Sequence, residues 1–160
     1  MDELEKLARG IADAAMADHR TVVAAESVTA GTVATALAAA GDASEWFGAS
    51  IVAYETVMKR LLLGVTADRI ISRDCAQQMA EGALRLTGAD LVVAITGVGG
   101  PDDEEGTPPG TVIICAGSPA DLRLFEHSFD GDPEAVVRQA TEHALRHLRD
   151  AAGVGQEAPR

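Results

Sequence analysis

Ser27, Thr29 and Lys59 are the residues of this sequence with the strongest claim to chemistry. Ser27 and Thr29 belong to Val22–Gly31, a run that begins apolar and β-branched and turns small and hydroxylated. It leads into the alanine-rich run Thr32–Ala40. The pattern predicts a buried strand followed by a helix, with both hydroxyls on the connecting turn. The first N–H groups of a helix lack intrahelical acceptors, so a hydroxyl there adjoins an anion or oxyanion site. Capping of the helix by one hydroxyl is the plainer alternative. Lys59 sits one turn after the apolar stretch Ala49–Tyr54. A lysine can serve as a base toward a serine when burial disfavours its ammonium form, and Ser–Lys pairs are attested nucleophile systems. Taken singly, a lysine is more often a solvated surface charge.

Four further groupings bear on chemistry. Gly97-Val98-Gly99-Gly100 has neither the Walker pattern nor the dinucleotide spacing, and offers close backbone approach or a nest of N–H groups. A flexible connection is an equal alternative. His143 and His147 are four apart, the spacing of a two-histidine metal face, but no zincin signature surrounds them. Histidines favoured by the negative end of a helix explain them better, and no metal is expected. Asp102–Glu105 lacks the alternating ligands of a calcium loop and reads as a solvated acidic segment. Cys75 and Cys115 have no metal spacing and read as buried free thiols.

Regular elements must position these groups. Residues 2–18 carry Leu4, Leu7, Ala8, Ile11, Ala14 and Ala15 at helical spacing. Strands are expected at Thr21–Glu26, Ala49–Tyr54, Leu91–Thr96, Thr111–Ala116 and Leu122–Phe129. The second of these alternates too little for a half-exposed strand and is expected to be central or packed on both faces. The last two form an antiparallel pair around Gly117-Ser118-Pro119. Helices are expected at Thr29–Ala40, Val57–Leu63, after Ser72 with Cys75, Met79, Ala83 and Leu86 inward, and at Glu134–Ala151. Asp132 and Pro133 suit the cap and first position of that last helix. Trp46 and Phe47 are the main aromatic anchors. The order implies one three-layer α/β/α domain with a mixed sheet of about five to six strands over residues 1–152, and a flexible tail at 153–160. Two strand ends with small-residue turns, near Ser27 and Gly97, are where such a sheet makes a ligand crevice.

Composition narrows the function. The 160 residues are 47% apolar, with 3% aromatics, so the core must be aliphatic. A net charge of −12 argues against nucleic acid and anionic membrane surfaces as partners. It leaves room for a small anion held by local N–H groups. No apolar run approaches the ~20 residues of a membrane helix, and the charged N-terminus is unlike a signal peptide. A cytoplasmic protein is expected, and a homodimer is allowed.

Ala25-Glu26-Ser27-Val28-Thr29-Ala30-Gly31 resembles the A-E-S-C-T-G-G segment of the CinA C-terminal domain family. Trp46-Phe47, Val52-Ala53-Tyr54 with Lys59, and Leu62-Leu63-Gly64-Val65 follow in the family's order. So do Met79-Ala80-Glu81-Gly82, Gly88-Ala89-Asp90, Thr96-Gly97-Val98-Gly99-Gly100-Pro101 and Pro109-Gly110-Thr111-Val112. Phe129-x-Gly131-Asp132 and Arg138-Gln139-Ala140 complete the series, which spans roughly residues 4–150. The resemblance implies metal-independent and cofactor-free nicotinamide-nucleotide amidohydrolysis of the PncC type. Nicotinamide mononucleotide would become nicotinate mononucleotide and ammonia. Ser27 would be the nucleophile and Lys59 its base. Thr29, with N–H groups near Ala30 and Gly31, would support the oxyanion. Tyr54 and Thr96 would line the site, and Gly97, Gly99 and Gly100 would approach the nucleotide. Glu26 and Arg138, from matching segments, complete the expected substrate contacts.

The departures carry expectations of their own. Val28 stands at the family's cysteine and Ala30 at its first glycine, where an alanine is strained if φ is positive. Glu55 replaces a serine, and its carboxylate would stabilise the Lys59 ammonium. Pro133 and Val137 stand where arginines are usual, so part of a phosphate grip would be missing. A catalytically weak relative that binds a nucleotide or a protein is therefore the alternative reading. The partner domain of longer CinA proteins has no counterpart in this sequence, and a stand-alone form is expected.

Overall fold

The computed structural model describes residues 1–154; the expected tail falls largely at 155–160, outside the described residues. The elements follow the order α1 (Glu3–Ala17), β1 (Val22–Glu26), α2 (Thr32–Ala38), α3 (Ala43–Trp46), β2 (Phe47–Val52), α4 (Thr56–Leu63) and α5 (Arg73–Thr87). Then come β3 (Leu91–Gly97), β4 (Thr111–Ser118), β5 (Asp121–Ser128) and α6 (Pro133–Ala151). The strands form one mixed sheet in the order β2-β1-β3-β4-β5. The first three are parallel, and β4 and β5 run antiparallel to their neighbours. The expected α/β/α domain is therefore present, with five strands.

The two core layers follow from strand alternation. Val22, Ala24, Val93 and Ile95 face one layer with Leu7, Ile11, Leu145 and Leu148 of α1 and α6. Val23, Ala25, Val92 and Ala94 face the other, with Leu63, Cys75, Met79 and Ala83 of α4 and α5. Every residue of β1 and β3 is buried, which explains their unbroken apolar character. Local signals set the helix ends. Asp2 forms a capping box with Glu5, Ser72 accepts from the Cys75 N–H, and Asp132 accepts from the Ala135 N–H.

Two expectations fail. β2 lies at the sheet edge and is only partly buried, where its pattern predicts a strand that is central or packed on both faces. Its apolar surface stays partly open, with Val52 44% exposed. Leu86, expected on the inward face of α5, is 58% exposed, while Ala76, Ala80 and Gly82 take the inward positions. Gly82 is needed there: a Cβ would collide with the Leu63 carbonyl oxygen. That close approach seats the C-terminus of α4, the helix that carries Lys59, against α5.

Candidate active site

The parallel strands end together, with Glu26 in register with both Val52 and Ile95. At that end the chain leaves β1 through Ser27–Gly31 and leaves β3 through Val98–Gly100, and α4 returns with Lys59. Ser27, Lys59, Gly97, Gly99 and Gly100 line one cavity of about 330 Å³. This is the crevice an open α/β sheet creates beyond the carboxyl ends of its strands. Residues 32 positions apart in sequence are thus brought to one cavity.

Ser27 is 7% exposed, and among the described residues its hydroxyl has no hydrogen-bond partner. Lys59 is 2% exposed, and its Nζ donates to the Tyr54 carbonyl oxygen at 2.8 Å. Burial pushes the Lys59 pKa down from its ordinary value, against an opposing pull from Cys75, Glu104 and Glu105. Glu55 is not among those opposing groups: its side chain is exposed at the N-terminus of α4. The expected stabilisation of the ammonium by Glu55 is therefore absent, and the opposing pull comes from Cys75, Glu104 and Glu105 instead. If the neutral amine is the working base, kcat/KM should climb with pH and level off below the ordinary titration range of lysine. A pH–rate profile that is flat between about pH 6 and 9 would contradict this. Burial also pushes Cys75 up to about 11 and Cys115 up to about 12, which keeps both thiols protonated and poor nucleophiles.

Glu26, expected among the substrate contacts, does not line the cavity. It is fully buried, and Oε1 accepts from Thr29 Oγ1 at 2.8 Å, the Gly31 N–H at 3.1 Å and the Val33 N–H at 3.0 Å. Oε2 accepts from the Ala34 N–H at 3.1 Å and from Ser50 Oγ at 2.7 Å. The positive end of α2 is thereby filled by the chain's own carboxylate. Thr29 is 1% exposed and its hydroxyl donates to Glu26, which leaves that proton committed away from an oxyanion. The N–H groups expected to serve the oxyanion are also taken: Ala30 donates to the Ser27 carbonyl oxygen and Gly31 to Glu26. Among the described residues, the N–H groups of Val28, Thr29, Gly99 and Gly100 have no acceptor. Val28 and Gly99 also pack together, since a Cβ on Gly99 would lie 3.5 Å from Val28 Cγ2.

Ala30 takes the strained conformation that its substitution for glycine implied, with φ +47°. It lies outside the cavity lining. Ala30→Gly is expected to raise stability by about 1 kcal/mol, a Tm gain of roughly 2–4 °C. Differential scanning calorimetry would check this, and an unchanged Tm would show that the turn carries no strain.

Thr96 is fully buried and donates to the Ile70 carbonyl oxygen, so it supports the cavity wall without lining it. Tyr54 lines the rim and is 66% exposed. Gly97 lines the floor where a Cβ would meet the Thr111 carbonyl oxygen at 2.7 Å. Arg138 is outside the cavity: it borders a neighbouring groove with Thr35 and Ala39 of the α2 region. Pro133 and Val137 do line the cavity, at the positions where the resemblance expects arginines. The sequence did not reveal Ile70, Ile71 and Asp102–Glu104 as lining residues. The acidic loop is not simply solvated either. The Glu105 carboxylate accepts from the Ile70 and Ile71 N–H groups, and Arg69 donates to the Glu105 carbonyl oxygen. These bonds fix the loop as one wall of the cavity.

A single α/β/α domain with a buried serine and a buried lysine lining one crevice beside its parallel strands places the chain in the α/β class. The chain matches the CinA C-terminal domain over residues 4–152, and it belongs to that family. It is 35% identical over 153 residues to a Shigella flexneri protein named nicotinamide-nucleotide amidohydrolase PncC, covering 91% of this chain and 93% of that protein. It is 36% identical over 143 residues to a Bacillus pumilus protein named for competence-damage induction. That match covers 86% of this chain but only 34% of the relative, so the chain spans about a third of the longer protein's length. The crystal structure of competence damage-inducible protein A from Klebsiella pneumoniae superposes with a TM-score of 0.90 at 32% identity, covering 97% of this chain and 100% of that one. Among the described residues no helix is long and apolar enough to cross a membrane.

Proposed function

We propose that this domain hydrolyses the carboxamide of a pyridine nucleotide, with nicotinamide mononucleotide as the substrate. The observation that carries the reading is the shared cavity of Ser27 and a buried Lys59 whose ammonium form is disfavoured. The name of the Shigella flexneri relative, which matches nearly end to end, supplies the reaction class.

The chemistry follows from the groups present. Neutral Lys59 accepts the Ser27 hydroxyl proton as Oγ attacks the amide carbon. The oxyanion that forms is held by N–H groups without internal acceptors, those of Val28 and Thr29 on the serine turn or of Gly99 and Gly100 opposite. Lys59 then returns its proton to the departing nitrogen as ammonia leaves. The resulting Ser27 ester is hydrolysed by a water that Lys59 deprotonates in turn. No step requires a metal. The test is ammonia release from nicotinamide mononucleotide, monitored together with nicotinate mononucleotide. Absence of both from the wild-type protein would overturn the reading.

The lining favours the carboxamide end of such a substrate more than its phosphate. Asp102, Asp103 and Glu104 line the cavity, Lys59 is its one cationic side chain among the described residues, and Pro133 and Val137 offer no charge. A phosphate must therefore rely on backbone N–H groups. Val137→Arg is expected to lower KM for the mononucleotide by about tenfold with little change in kcat, the effect of one added charge-assisted contact. KM for the corresponding nucleoside, which has no phosphate, should not move. Equal effects on both compounds would show that Val137 does not face the phosphate.

The strained Ala30 and the uncharged Pro133 and Val137 at the cavity support a second reading, in which the domain binds a nucleotide or a protein with little turnover. Calorimetric binding of the mononucleotide without ammonia release would select it.

A further inference from the structure

A cluster of imidazoles lies outside this cavity. The sequence shows His143 and His147 one helical turn apart on α6. The fold adds His127 from the edge strand β5, whose Phe125 and His127 side chains reach His147 of α6. One ring nitrogen from each of the three histidines lies within 4.8 Å of the other two, and His127 Nε2 is 2.9 Å from His147 Nε2. None of the three lines the cavity of Ser27 and Lys59.

Packing fixes the rings. Phe125, His127 and Phe129 alternate along one face of the chain at β5, as strand periodicity requires. Phe125 stacks flat on His147, with centroids 3.7 Å apart and planes 9° apart. Phe129 stacks flat on His127 at 5.2 Å and leans on His143 at 5.0 Å. All three histidines are half-buried. Next to His147 opens a second cavity of about 590 Å³, bordered by Phe125, Arg123 and Asp150.

We propose that His127, His143 and His147 form a binding site for one divalent late transition ion of the zinc, cobalt or nickel class. Three neutral imidazole nitrogens suit that class, while hard cations such as magnesium or calcium prefer oxygen. Nitrogens bound to one tetrahedral ion at about 2.1 Å lie roughly 3.4 Å apart, a value bracketed by the 2.9 Å and 4.8 Å found here. Small rotations of the rings would close the set. The cavity beside His147 leaves room for water as the fourth ligand. The bound ion would tie edge strand β5 to α6, and so act on stability and not on the amide reaction.

The experiment uses tag-free protein stripped with chelator and dialysed, then titrated with cobalt(II) and with zinc(II). Expected results are visible absorption bands typical of tetrahedral cobalt, saturation at one ion per chain, and a Tm that rises with zinc concentration. His143→Gln and His127→Gln should each weaken zinc binding at least about tenfold and abolish the cobalt bands. Retained far-UV circular dichroism would show that both variants fold. Absence of saturable binding up to about 1 mM zinc would overturn the proposal, leaving the 2.9 Å contact as a hydrogen bond between neutral imidazoles. Binding that survives both substitutions would overturn it equally. Neither outcome depends on whether the domain releases ammonia.

Discussion

Ser27→Ala should lower the rate of ammonia release from nicotinamide mononucleotide by at least about 1000-fold, because the substitution removes the atom that forms the acyl intermediate. Stability should barely move, within about 0.5 kcal/mol, since the Ser27 hydroxyl has no hydrogen-bond partner among the described residues to lose. A large loss of rate at constant Tm is the signature of a nucleophile. Lys59→Met complements it. Methionine fills nearly the same volume without a charge, so the rate should fall about 100- to 10,000-fold, the usual range for loss of a general base. Stability should hold or rise, because an ammonium buried to 2% exposure with one carbonyl partner is costly to keep in the folded state. Single-turnover assays with both variants would separate the chemical step from product release. Ser27→Ala protein that still deamidates the mononucleotide at the wild-type rate would remove the proposed mechanism.

Glu26→Ala is expected to act in the opposite way, on the fold and only through it on catalysis. Five donors converge on that carboxylate: the hydroxyls of Thr29 and Ser50 and the N–H groups of Gly31, Val33 and Ala34. Truncation would leave them unpaired in a fully buried site. At roughly 1–3 kcal/mol for each buried unsatisfied group, partly relieved by entering water, a loss of more than about 4 kcal/mol is expected. Glu26→Gln keeps the volume but turns one acceptor into a donor that faces other donors, and should lose about 2 kcal/mol. Urea titrations should show lower midpoints with unchanged slopes. A loss below about 1 kcal/mol for Glu26→Ala would mean that the turn does not depend on the carboxylate. The Glu-Ser pair in this segment thus divides its labour: the glutamate holds the turn, and the serine is left unpaired at the cavity.

Local rules recovered most of the architecture. The expected strands Thr21–Glu26, Leu91–Thr96, Thr111–Ala116 and Leu122–Phe129 match β1, β3, β4 and β5 to within a few residues, and Asp132 and Pro133 begin α6 as expected. Those signals are local: side-chain periodicity, caps and turn residues act within one or two turns of chain. The placement of β2 failed because edge and centre positions differ in what lies beside a strand, which its own residues do not encode. The site was legible in part. Ser27, Lys59 and the Gly97–Gly100 loop were named from sequence, and the structure brings them to one cavity. The roles assigned to Glu26, Thr29, Thr96 and Arg138 were not legible, because a polar residue beside a nucleophile looks the same whether it faces the ligand or the core.

The sequence by itself determined the order of elements, the aliphatic core, the serine turn and the family resemblance, all of which rest on residue types and short-range spacing. Only the tertiary structure decided which partner each polar group finds. It spent the N-terminal donors of α2 on Glu26, withdrew Lys59 from water, set the acidic loop as a cavity wall and carried His127 to the two histidines of α6. Burial and partnership are properties of atoms distant in the chain, and they become fixed only when sheet and helices pack.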